Sequence, residues 1–242
     1  MRGAGVSLME KLGELEDPRQ PSNGTRHDFR EILVIAVCAM LSDADSFEDI
    51  ALWGRLKTDW LRRFLVLKNG IPSQDTFLRV FRVLDPKQFE TVFRRWVGGI
   101  VGALDGVLAV DGKTLRRSAD GDAPPVHMVS AFSTELGLVL GQEKVAGKSN
   151  EITAIPELLE ALHIKGLLVS IDAMGCQREI AARIVRAHWA IENRLHWMLA
   201  VCFGEDDCMI RKDHAPQNLS LLKKIVLNLI RADKTDTPGG LG

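Results

Sequence analysis

Residues 107–112, VLAVDG, and 166–173, GLLVSIDA, decide the fold. Each is a short apolar run that reaches an aspartate, Asp111 in the first and Asp172 in the second. Continuous apolar runs of this length read as strands buried on both faces. If the two strands are neighbours in one sheet, their carboxylates emerge together at the carboxyl edge, where open α/β sheets collect binding groups. Two close carboxylates repel unless a divalent cation neutralises them, and Mg²⁺ prefers such oxygen ligands. A third carboxylate from a helix would complete a site for two ions about 4 Å apart, which activates one oxygen and stabilises the leaving one in phosphodiester cleavage. An aspartate at a strand end is also an ordinary cap or turn residue. The pair alone leaves both readings open.

Working outward, HMVSAFST (127–134) and LVLGQEKV (138–145) are further strands, divided by the hairpin-like ELG. NEITAIPELLEALH (150–163) is amphipathic and helical. The order strand, strand, strand, helix, strand predicts a mixed α/β sheet that opens with an antiparallel meander. From Gln177 the chain is helical again, with a loop at GEDDCMIRKDHAP (204–216), a last helix over 217–232 and a disordered tail over 235–242.

Residues 1–100 read as a helical region. Ser46 to Asp49, SFED, is a capping box, and Asp85–Pro86 is a second helix start, with proline where its missing N–H costs nothing. Ile50, Trp53, Leu56, Trp60 and Phe64 recur at helical spacing; KNGIPS (68–73) breaks the pattern and a helix carrying Arg79 and Arg82 follows. That is either a DNA-reading helix-turn-helix or a plain bundle with solvated arginines.

Composition bounds the partners. With 46% hydrophobic and 26% charged residues the 242-residue chain is an ordinary globular protein, and its net charge of −1 provides no global basic field. DNA contact must come from local patches, of which GKTLRRS (112–118) supplies Lys113, Arg116 and Arg117 beside the first acid. Cys38, Cys176, Cys202 and Cys208 form no CxxC pair, as expected of reduced thiols in a cytoplasm. The apolar run from Ile32 to Leu41 is too short for a bilayer. A soluble, cytoplasmic protein with no membrane partner is expected. His188, Glu192 and His196 share a helix face, which suits either a transition metal or packed histidines. Trp189 and Trp197 read as core, and Glu205, Asp206 and Asp207 as a solvated loop.

The strings VLAVDGKTLRRS, VHMVSAFS, GKSNEI, SIDAMGCQ and HWAIENRLHW, with the F.ED, R and AP.NL that follow, resemble the ISAs-type, H-repeat-associated insertion-sequence transposases. DPR…RHDF and IPSQDTFLRVFRVLDP resemble the helical domain that precedes the catalytic one in that family. The likeness runs from about Leu12 to Arg231. It implies a DDE catalytic domain of ribonuclease H-like fold over 101–234, behind a helical domain over 1–100. It also implies Asp111, Asp172 and Glu192 as catalytic, metal-holding acids, with Mg²⁺ as cofactor and Mn²⁺ as substitute. The implied partner is the double-stranded DNA of the element's terminal repeats, reached by Lys113, Arg116, Arg117, Arg79 and Arg82. A homo-oligomer or a complex with full-length transposase is the other partner expectation.

Two departures stand out. The family carries a longer segment, with another strand, between its second aspartate and the IEN helix, so this chain is truncated between Asp172 and Glu192. Where the family usually has LDV, this chain has LAV, with Ala200. The sheet is therefore expected to be incomplete and the copy impaired. The alternatives are a non-catalytic DNA-binding or transposase-interacting remnant, or a histidine-metal hydrolase. From Gln177 to Val201 there is neither glycine nor proline, which predicts one helix running away from Asp172. At 1.5 Å per residue it carries Glu192 about 22 Å from Gln177, outside coordination range of the Asp111–Asp172 pair.

Overall fold

The computed structural model describes residues 3–21, 25–101, 106–121, 123–145, 151–162, 168–171 and 190–233. Six helices come first: α1 (Gly3–Leu12), α2 (Phe29–Met40), α3 (Phe47–Leu56), α4 (Thr58–Leu61), α5 (Gln74–Val83) and α6 (Pro86–Ile100). Their starts are written locally. Asp28 accepts the Glu31 amide at 3.0 Å, Ser46 accepts the Asp49 amide at 3.1 Å and Asp85 accepts the Lys87 amide at 2.8 Å, each satisfying an otherwise orphaned N–H. Phe77, Phe81, Phe89, Phe93 and Trp96 are fully buried and form the aromatic centre of the core. The link from α4 to α5 occupies residues 62–73, well beyond the three or four residues of a helix-turn-helix corner. This part is a bundle.

The sheet follows the predicted order. Strands β1 (Val107–Thr114), β2 (His127–Ser133), β3 (Leu138–Lys144) and β4 (Leu168–Ile171) are arranged β3-β2-β1-β4. The β1–β2 and β2–β3 pairs are antiparallel and β1–β4 is parallel, so the two apolar runs are neighbours as expected. Gly137, at φ 69°, makes the β2–β3 turn where an L side chain would be strained. One expectation changes: β1 does not stop at Asp111 but continues to Thr114, because Gly112 to Thr114 keep pairing with Val129 to His127. Helix α7 (Glu151–Leu162) joins β3 to β4 and packs on β3 and β2.

The last helix, α8 (Ala215–Ala232), is buried from Ala215 to Asn228 and packs against α2, α5, α6 and β3. A helix so enclosed must satisfy its polar side chains internally. Asn218 donates to the carbonyls of Phe81 (2.9 Å) and Leu84 (2.8 Å), closing the end of α5. Asn228 accepts from the Val139 amide at 2.9 Å and donates to its carbonyl at 2.7 Å. Lys224 donates to Gln142 (2.6 Å) and Ser220 (2.9 Å), while Gln217 (3.0 Å) and Gln142 (3.3 Å) both donate to Glu90 of α6. A polar chain thus crosses the core from α6 to α8. Among the described residues no helix is long and apolar enough to cross a membrane.

Candidate active site

Asp111 lies on β1, nearly buried at 8% exposure. Above it, residues 190–202 are helical, with π-helical turns at Glu192–His196 and Met198–Cys202, a geometry frequent at functional sites. Ile191, Leu195 and Leu199 bury one face of this segment. Glu192 and His196, four residues apart, therefore project together. The His196 Nδ1 atom lies 3.4 Å from Asp111 Oδ2 and 3.8 Å from Glu192 Oε1. One ligand atom from each of Asp111, Glu192 and His196 falls within 4.8 Å of the other two.

Glu192 was expected outside range of the Asp111–Asp172 pair; it lies beside Asp111, and its separation from Asp172 falls outside the described residues. Helix length counted from Gln177 says nothing of Asp111, which is approached through space by a segment anchored on its own buried face. Asp172, His188, Trp189 and the run 177–189 lie outside the described residues. The last described pair of the β1–β4 register, Val110 with Ile171, immediately precedes the two aspartates in sequence. Trp197 departs from its core reading: it is 53% exposed.

The donor set is two carboxylates and an imidazole. Carboxylate oxygens suit Mg²⁺ and Mn²⁺, and imidazole suits the transition metals, so a divalent cation fits this cluster. His196 is a candidate donor beyond the three acids, and its i+4 spacing from Glu192 is the signal that singled it out in the sequence.

Within the acidic run Glu205 departs from expectation, while Asp207 is exposed as a solvated loop requires. Glu205 is buried at 3% exposure, not solvated, because Lys113, Lys223 and Lys224 surround it. Burial would raise its carboxyl, but the neighbouring ammonium groups of Lys224, Lys113 and Lys223 prevail and hold it below the usual range. Lys113 lies 3.0 Å from Glu205 and 3.3 Å from Asp206, Arg116 lies 3.5 Å from Asp206, and Arg117 lies 3.2 Å from Asp207. Arg116 and Arg117 remain exposed, so their pairs are weak and exchangeable. Arg79 and Arg82 line an open groove of about 920 Å³ with Arg19, Arg26 and His27, where Asp213 pairs with Arg82 at 2.7 Å.

Below Asp111, Thr114, His127 and Glu151 form a chain: Thr114 Oγ1 to His127 Nδ1 and His127 Nε2 to Glu151 Oε1 are both 2.8 Å. The Glu151 carboxylate occupies the place of the side chain that Gly112 lacks, and the His127 ring borders it. Gly112→Ala is therefore expected to cost about 1–3 kcal/mol in urea denaturation. Glu151→Ala in the same chain should recover most of it. A midpoint unmoved by Gly112→Ala would mean that the pair swings aside freely.

A family model described as transposase DDE domain matches residues 102–185, and one described as DDE_Tnp_1-associated matches residues 9–97. An uncharacterized protein in the dhlA 3′ region of Xanthobacter autotrophicus is 47% identical over 176 residues, covering 72% of this chain and 60% of that protein. "Putative transposase YncI" of Escherichia coli O157:H7 is 30% identical over 351 residues, covering 97% of this chain and 90% of its own. "H repeat-associated putative transposase YhhI" of Escherichia coli K12 is 29% identical over 349 residues, covering 96% and 92%. This chain thus spans less than two thirds of the first relative, and the YncI alignment has over a hundred positions with no residue here. No solved structure matches.

Proposed function

The chain belongs to the H-repeat-associated family of DDE transposases, and from that premise we propose that it carries a metal-dependent site for cleavage and strand transfer at the ends of an insertion sequence. The observation that carries this reading is the convergence of Asp111, Glu192 and His196 within 4.8 Å. Asp172 is the further acid of the proposal, supported by the β1–β4 register that leads into both aspartates. The four-stranded mixed sheet is consistent with a ribonuclease H-like core over 101–234, preceded by a helical domain over 1–100. Mg²⁺, or Mn²⁺ in its place, would be held by Asp111, Glu192 and Asp172 with His196 beside them. Such ions supply an activated oxygen nucleophile and stabilise the leaving oxygen. The chain's own part is to hold the donors in place and to narrow access of water around the nearly buried Asp111.

The substrate of the proposal is duplex DNA bearing the element's terminal repeats. Exposed Arg116 and Arg117, together with the arginine-lined groove of Arg79 and Arg82, are its phosphate contacts. A homo-oligomer or a complex with a full-length relative would bring two DNA ends together. A second reading, a non-catalytic remnant that binds DNA or its relatives, is favoured by the hundred-odd aligned positions missing here and by Ala200.

Mn²⁺ binding and nicking of a plasmid carrying the element ends separate the two. Wild-type protein should bind Mn²⁺ and nick, while Asp111→Asn and Glu192→Gln should weaken Mn²⁺ binding at least about tenfold, one ligand's worth, and abolish nicking. Mn²⁺ binding without nicking supports the remnant. Mn²⁺ affinity indifferent to both substitutions removes the site.

A further inference from the structure

We propose that Lys113 is a positioning residue for the Glu192–His196 segment and not a DNA contact; the inference rests on the metal-site reading above. Side chains alternate along a strand, so Asp111 and Lys113 project from the same face of β1. Both grip His196, at opposite ends of the residue. Asp111 meets its imidazole at 3.4 Å, and the Lys113 ammonium donates to its backbone carbonyl at 3.4 Å. The same ammonium lies against Glu205 and Asp206, so three acceptor groups from two segments converge on it.

Glu205 is in turn fixed from behind. It accepts from Ser220 at 3.0 Å, and Ser220 accepts from Lys224, both on α8. The carbonyl of His196 is thereby tied through Lys113 and Glu205 to the helix most deeply embedded in the core. A helical segment whose side chains supply ligands needs such support, because outer contacts that hold a ligand in place are commonly worth tenfold to a hundredfold in metal affinity. The Lys113 side chain is only 15% exposed, against 74% for Arg116 and 52% for Arg117. Turning Lys113 toward a phosphate would give up its contacts with the His196 carbonyl, Glu205 and Asp206 together. The two arginines carry no such tie, so positioning and DNA contact fall on different residues of the same GKTLRRS stretch.

The test uses the full chain with three readouts: folding in urea, Mn²⁺ affinity, and the salt dependence of binding to random-sequence duplex. Lys113→Gln should lower Mn²⁺ affinity about tenfold or more, with Lys113→Arg restoring most of it, and neither should alter the salt slope. Arg116→Ala with Arg117→Ala should do the opposite, lowering the slope by about two while sparing Mn²⁺. A Lys113→Gln protein that keeps its Mn²⁺ affinity, or that loses about one unit of salt slope, overturns the proposal. Acetylation footprinting of the wild-type protein decides even where the variant does not fold. Lys113 should resist acetic anhydride with or without DNA; ready acetylation that DNA blocks would make it a DNA contact. Absence of any Mn²⁺ binding by the wild type would count against the site itself, while the footprint still reports on the clamp.

Discussion

Glu205→Gln is expected to be the most damaging single exchange, costing roughly 3–5 kcal/mol of folding stability. Glutamine keeps the shape and can still accept from Ser220, so little packing is lost. What disappears is the buried negative charge shared by Lys113, Lys223 and Lys224, of which the last two are buried on α8. Removing one partner from such a cluster leaves uncompensated ammonium groups in a medium that solvates them poorly. Urea denaturation should show a lower midpoint at unchanged slope. Adding Lys224→Met should recover part of the loss, since the two residues act on one another. A Glu205→Gln protein as stable as the wild type would show that water reaches these lysines and that the ion cluster contributes nothing.

The second large effect is a pH dependence centred on Glu90. Burial pushes its carboxyl up from 4.5 to about 7, against the opposing hydrogen bonds from Gln217 and Gln142. The folded pKa lies above the unfolded one, so between those values the native state keeps a proton that the unfolded chain has lost. The contribution to stability is complete below about pH 4.5 and is lost as pH rises through about 7, an amount on the order of 3 kcal/mol. Lys224 acts on the alkaline side. Burial brings it from 10.5 down to about 8, with Glu205 opposing, so over that interval the unfolded chain holds the extra proton and stability rises with pH. Taken together, the two groups predict a minimum between about pH 7 and 8. Glu90→Gln should remove the acid limb and leave the alkaline one; an acid limb of equal size in that variant would assign it to other carboxyls.

What the sequence made legible was mostly local. The Ser46 and Asp85 caps, the hairpin at Gly137 and the helix over 151–162 are each specified within a few residues, by a side chain meeting an adjacent amide or by apolar periodicity. The adjacency of β1 and β4 was also readable, from two apolar runs each reaching an acid taken together with the family likeness. The errors lie at long range. The position of Glu192 was judged along the chain, while the contact that matters is with β1, about eighty residues earlier. A solvated Glu205 is the natural reading of the loop because its partners, Lys113 and Lys224, are distant in sequence. Two adjacent lysines inside the apolar run of α8 were the overlooked request for a buried carboxylate. Residue type alone puts Trp197 inside, whereas the buried stripe of its helix runs through Ile191, Leu195 and Leu199.

The embedding of α8 has a consequence for the order in which the molecule can be made. Its bonds to Phe81, Leu84 and Glu90 span 127 to 137 residues, so on a ribosome the groove formed by α2, α5, α6 and β3 emerges long before the helix that fills it. During that interval the Phe81 and Leu84 carbonyls, and the apolar walls around them, face water or whatever holds the nascent chain. Such distant closures are slow and leave sticky surface uncovered. The helical region at the start of the chain is thus left unfinished until synthesis reaches residues 215–232, and a premature stop ahead of them would release an aggregation-prone chain instead of a smaller working protein.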